Sequence, residues 1–107
     1  MSPESPRFSV GLVGKAVEQL EQLTARAEQL DLRALLAAVY WQIIQSLETR
    51  PREWGDPFHN YRALDATSYS RAILPAGISV EYAVHNTKPL VWISKLIVLE
   101  GSPFAGE

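Results

Sequence analysis

Residues 78–85 read Ile78-Ser-Val-Glu-Tyr-Ala-Val-His85. Ile78, Val80, Tyr82 and Val84 fall on one side of an extended chain. Ser79, Glu81, Ala83 and His85 fall on the other. Alternation over a stretch this long marks a strand with one apolar and one more polar face. Turn signals bound it: Pro75-Ala-Gly77 before and Asn86-Thr-Lys-Pro89 after. Upstream, Ser68 to Leu74 alternates too, with Tyr69, Arg71 and Ile73 on one face. Downstream, Leu90 to Leu99 is apolar on nearly both faces, which predicts a central strand covered on both sides. Turns this short join antiparallel neighbours, so the segment from 68 to 99 is predicted to be a three-stranded antiparallel meander.

The first half of the chain has a different period. Phe8-Ser-Val-Gly-Leu12 alternates apolar and small residues and suits either a short first strand or the lead-in to a helix. From Val13 to Leu47 there is no proline, and Gly14 is the only glycine. Val17, Leu20, Leu23, Ala27 and Leu30 make one helical stripe. Leu32, Leu35, Leu36, Val39, Ile43, Ile44 and Leu47 make another. At about 100° per residue the second stripe points away from the first on a continuous helix. One core cannot bury both. The phase therefore predicts a helical hairpin broken near Gln29–Asp31, with Asp31 as N-cap of the second helix. One long helix is the alternative, because no glycine or proline marks the break.

Arg50-Pro-Arg-Glu-Trp-Gly-Asp-Pro-Phe-His-Asn-Tyr-Arg62 contains two prolines, a glycine and three aromatics. Pro51 ends the second helix, and Gly55-Asp56-Pro57 signals a turn. Residues 50–66 are expected to form an ordered loop, because Trp54, Phe58 and Tyr61 are too apolar to be left in water. The predicted organisation is a flexible arm over 1–7, one α+β domain over 8–99 and a tail over 100–107, with Phe104 docking back.

Composition bounds the function. The 107 residues suit one domain, 47% apolar and 21% charged. This excludes disordered, collagen-like and rod-like chains. The net charge is −2, without the basic excess usual for nucleic-acid binding. The balance is uneven: residues 50–95 carry six basic and four acidic groups, against four and six in residues 1–49. The absence of cysteine excludes disulfides, thiolate zinc sites and cysteine nucleophiles. With no signal peptide and no run long enough to cross a bilayer, the expected setting is the cytoplasm, away from any membrane.

No self-sufficient chemical motif appears, and no cofactor or metal is expected. Gly11-Leu-Val-Gly14 is not a phosphate-binding loop, and neither His59 nor His85 has metal-ligand spacing around it. His85 ends a strand, where it serves either as a general acid or base or as an exposed strand-end residue. His59 reads as packing beside Phe58 or Tyr61. Arg62, Arg71 and Lys95 fall on or near one face of the expected sheet, where they would hold a phosphate or be a solvated face paired with Glu81 and Asp65. The site candidates are thus Arg62, Arg71, His85 and Lys95.

The element order and three stretches together resemble the RelE/ParE superfamily of bacterial toxins from toxin–antitoxin and plasmid-stabilisation systems. They are Leu47-Glu-Thr-Arg-Pro51 before the Gly-Asp-Pro turn, Ile78-Ser-Val-Glu-Tyr82-Ala-Val84, and Leu90-Val-Trp-Ile-Ser94. The resemblance spans about Phe8 to Leu99. It implies a strand, a helical hairpin and a three-stranded meander, and an antitoxin partner laid across helices and sheet. Family nucleases cleave messenger RNA on the ribosome without metal, using basic side chains on the sheet; other members act on gyrase. Aligned on Tyr82, the nuclease lysines fall on Ser70 and Ala72, and its arginines fall on Ser79 and near Val98. No tyrosine follows Tyr82. The resemblance therefore implies a toxin-family protein acting mainly by binding. A ribosome-dependent endoribonuclease with a rearranged basic site, or a non-toxic scaffold that forms a homodimer, are the alternatives.

Overall fold

A computed structural model describes residues 7–74 and 76–105. The expected arm lies outside them except for Arg7, whose guanidinium pairs with Glu48 at 3.1 Å. The chain forms β1 (Ser9–Leu12), α1 (Lys15–Gln29), α2 (Arg33–Thr49), a single helical turn α3 (Pro51–Trp54), β2 (Asp56–Tyr61), β3 (Ala66–Ile73), β4 (Ile78–His85) and β5 (Leu90–Val98). Short 3-10 turns occupy Arg62–Leu64 and Pro103–Ala105. The five strands make one sheet in the order β1-β5-β4-β3-β2, with β1 parallel to β5 and every other pair antiparallel.

The two helical stripes separate as their phases require, and the break is built without glycine or proline. The Leu32 amide donates to the Ala27 carbonyl at 2.7 Å, and the Asp31 amide donates to Glu28 at 3.4 Å. This is the paired bonding of a Schellman turn, and it places Asp31 at φ 59. Aspartate tolerates that left-handed region better than most residues. Asp31 therefore closes α1 rather than capping α2, whose N-cap is Leu32. The helices pack on one face of the sheet. Leu23 and Ala27 from α1, with Val39, Ile43 and Leu47 from α2, meet Ile78, Val80, Tyr82, Val91 and Ile93 in the core.

Two further expectations are corrected. Residues 56–61 are an edge strand and not a loop, so the meander has four strands. Pro57 is tolerated there because an edge strand leaves part of its backbone unpaired. A bulge between Pro57 and His59 breaks the alternation that would have revealed the strand. The second correction concerns β5, which is central but covered on one face only. Its register shifts beside Ser94, so Val91, Ile93 and Leu96 all reach the core. The bulge makes the strand look apolar on both sides. The Leu96 amide donates to Gln19 Oε1 at 2.7 Å.

Tyr82 sits at the centre, fully buried. Its hydroxyl donates to the Pro51 carbonyl at 2.6 Å. Its ring stacks on Tyr69 at 5.4 Å and lies 5.9 Å from Trp54. Gly55 makes room for it: a β-carbon there would lie 2.6 Å from the Tyr82 hydroxyl and 2.9 Å from the Ser70 carbonyl. At the far end, Ser102 donates to the Ala76 carbonyl at 2.6 Å and accepts the Phe104 amide, seating Phe104 in the core.

Gly55→Ala is expected to cost about 1–3 kcal/mol by overpacking. Tyr82→Phe is expected to cost a similar amount, about 1–3 kcal/mol, by leaving the Pro51 carbonyl unpaired. The double variant should lose less than the sum, because removing the hydroxyl relieves the nearer of the methyl's two clashes while the Ser70 carbonyl remains. Urea denaturation of the four proteins checks this, and strict additivity would show that the two groups do not compete.

Burial also raises the Tyr82 hydroxyl above its ordinary value of 10.0. Above pH 10 the unfolded chain releases this proton while the folded one keeps it. Stability that is complete below that pH therefore falls as pH rises, by up to about 1.4 kcal/mol per pH unit. Denaturation midpoints between pH 8 and 11.5 should show that slope, and Tyr82→Phe should flatten it. An identical slope in both proteins would refute the assignment.

Candidate functional site: the open face of the sheet

The helices cover one face of the sheet and leave the other bare. Register sets its composition. Ser68 pairs with His59 and Ala83, Ala83 pairs with Trp92, and Ala66 pairs with Tyr61 and His85. Side chains at paired positions share a face. The floor is therefore small residues, Ala66, Ser68 and Ala83, with Trp92 beside them and no large side chain to fill the space. The result is a groove of about 610 Å³, rimmed by Tyr61, Leu64 and Val13. Leu64 is 65% exposed and Tyr61 42%, so the rim offers apolar surface to solvent.

His85 closes one end of the groove. Its Nδ1 accepts the backbone amides of Thr87 at 3.2 Å and Lys88 at 3.0 Å. Those two donors assign the proton of the neutral ring to Nε2. Nε2 lies 3.9 Å from Asp65 Oδ2, and the ring meets Trp92 edge-on at 6.2 Å. Asp65 is held at φ 50. Its carboxylate accepts Asn86 Nδ2 at 3.0 Å, its carbonyl accepts the Asn86 amide at 2.8 Å, and Thr67 donates to Asn86 Oδ1 at 2.9 Å. The β2–β3 and β4–β5 turns are thereby tied together around His85, whose ring atoms organise the turn.

The four candidates do not converge. His85 lies on the open face, and Lys95 lies opposite Glu81 on the same side. Arg71 is on the helix-covered side, opposite Val80. Its guanidinium donates to the Trp54 carbonyl at 2.7 Å and lies 5.5 Å from the Trp54 ring centroid. That placement corrects the expectation that Arg62, Arg71 and Lys95 share a face. Arg62 is exposed in the 3-10 turn. His59 packs edge-on to Tyr61 at 4.2 Å.

A groove with apolar walls and few polar groups binds apolar or aromatic groups, with polar contacts at its ends setting orientation. The sequence reading missed Trp92, Leu64 and the small-residue floor. The available signal was Ser68 and Ala83, small residues on the non-core parity of adjacent strands.

Asp65→Ala is expected to destabilise the fold by about 1–2 kcal/mol, through lost hydrogen bonds and a left-handed position that alanine tolerates poorly. Asp65→Asn should cost less, since asparagine accepts that backbone. Chemical denaturation with a linear-extrapolation fit distinguishes them; equal losses would contradict the backbone argument.

No family model and no curated protein matches the chain. Among solved structures it is similar to a chain in the crystal structure of the toxin–antitoxin complex RelBE2 from Mycobacterium tuberculosis. The TM-score is 0.59 and the identity 18%, over 91% of this chain and 97% of that chain. The helical layer on one face of a five-stranded sheet is thus a fold that this chain shares with a chain of that complex.

Proposed function

We propose that this chain is the toxin-like member of a bacterial toxin–antitoxin pair, that it acts by binding a cellular target, and that an antitoxin neutralises it. The observation that carries the reading is the uncovered face of a RelE-like sheet. Its floor is Ala66, Ser68 and Ala83 around Trp92, which suits an apolar partner surface and gives no grip on a phosphate. Phosphate-transfer chemistry needs several positive groups aimed where charge develops; Arg71 is engaged with Trp54 on the opposite side, which leaves Lys95 and His85 of the four candidates on the open face. In this reading the target is a protein, of which gyrase is one candidate, and the protein works in the cytoplasm without cofactor or metal.

Inducible expression tests the proposal, with and without co-expression of the adjacent small reading frame. Growth arrest relieved by the neighbour is expected. Trp92→Ser, which removes the groove wall, should weaken the arrest at least tenfold in plating efficiency while the protein stays folded. Purified protein with ribosomes and message should leave the message uncut. Cleavage lost in Lys95→Ala would instead establish the endoribonuclease. No growth effect in either strain, with a stable dimer in solution, would favour the scaffold.

A further inference from the structure

A second concavity lies beside the β4–β5 turn, away from the groove. It measures about 390 Å³ and is lined by Phe8, Arg50, Arg52, Glu53 and Thr87, among others. Its polar character comes from the two arginines flanking Pro51. Pro51 is buried and fixed by the Tyr82 hydroxyl, so the backbone that carries both arginines is anchored to the core.

Arg52 is positioned before any ligand arrives. One guanidinium nitrogen donates to the His85 carbonyl at 2.8 Å, and the group lies 5.3 Å from the Phe8 ring centroid. A guanidinium held by a carbonyl and an aromatic ring presents its remaining N–H groups in a fixed fork, which matches the oxygens of a phosphate. Holding the side chain in advance lowers the entropy cost of binding. Among the described residues neither Arg50 nor Arg52 has an acidic partner within 4 Å. Among the described residues the charge pairs within 4 Å are Arg7–Glu48 and His85–Asp65. Arg50 and Arg52 line the pocket together with Glu53, and the Asp65 carboxylate lies 3.5 Å from the Thr87 hydroxyl at its edge.

We propose that this pocket is a binding site for a phosphate group, with Arg52 as the bidentate contact and Arg50 as the second cation. The site is separate from the open groove, and it stands whether or not the chain is a toxin. Its link to the groove is the His85 residue, whose carbonyl holds Arg52 while its ring closes the groove.

The test is a titration of the isotope-labelled full chain with inorganic phosphate, followed by amide resonances at constant ionic strength in sodium chloride. Saturable shifts confined to residues 49–53 and 85–88 are expected. Arg52→Gln and Arg50→Gln should each weaken the apparent affinity at least fivefold. Arg50 makes no side-chain hydrogen bond among the described residues, so Arg50→Gln remains informative if Arg52→Gln fails to fold. Non-saturating shifts, shifts spread to Lys15, Arg26 and Arg33, or unchanged affinity in Arg50→Gln would overturn the proposal. A short RNA with a 5′-phosphate and the same RNA with a 5′-hydroxyl identify the source. Competition by the first alone assigns a terminal phosphate, and competition by both assigns the nucleic-acid backbone. Competition by neither, with inorganic phosphate still bound, assigns a small phosphorylated ligand.

Discussion

The buried hydroxyl of Tyr82 sets the terms for the rest of the molecule. A phenol enclosed by the core must find an acceptor or lose its hydration uncompensated. The acceptor is the Pro51 carbonyl, at the point where α2 stops and α3 begins. One hydrogen bond thus fixes the end of the helical layer over the middle of the sheet. The neighbours follow. Gly55 has no β-carbon because the hydroxyl occupies that space. Tyr69 and Trp54 pack against the phenol ring, and Arg71 lies over the Trp54 ring and donates to the Trp54 backbone carbonyl. The aromatic segment that connects helices to sheet is ordered because its polar atoms have partners.

What was legible in the sequence followed from regular periods. The alternation of Ile78–His85 matches β4 residue for residue, and the phase conflict between two leucine stripes located the helix break. Irregularities hid the remainder. The bulge in β2 and its proline removed the period-two signal from Asp56–Tyr61. The bulge beside Ser94 put Leu96 on the face of Ile93, so β5 looked covered on both sides. The turn between the helices used Asp31 in a left-handed position instead of glycine. A bulge or a left-handed aspartate is selected by hydrogen bonds from distant strands or earlier turns, and a local window does not contain those partners.

The candidate site was legible in part for the same reason. Parity alone already put Arg71 with Tyr69 and Ile73, which are core residues, while His85 and Glu81 take the opposite parity. Grouping Arg71 with Lys95 by charge ignored what the alternation said. The groove was harder to see. Its volume arises from side chains that are short, and Ala66, Ser68 and Ala83 carry no chemical signal until register sets them side by side beneath Trp92. The phosphate pocket has a similar origin, since Phe8, Arg52 and Thr87 meet only after β1 has paired with β5.

A sheet covered by helices on one side has a second face that must either be polar or have something to cover it. Here it is neither uniformly polar nor filled. Leu64 is 65% exposed at the groove's rim, while Trp92 stands half-buried over an alanine and serine floor. Apolar surface gathered around a groove differs from single scattered residues, because a partner can remove all of it from water in one step. The edge strand β2 adds open backbone groups next to it, and its bulge and Pro57 restrict which chains can pair there. The near-neutral charge of the chain fits this division of labour. Arg50 and Arg52 lie beside the β4–β5 turn, and the groove is left to shape and apolar contact.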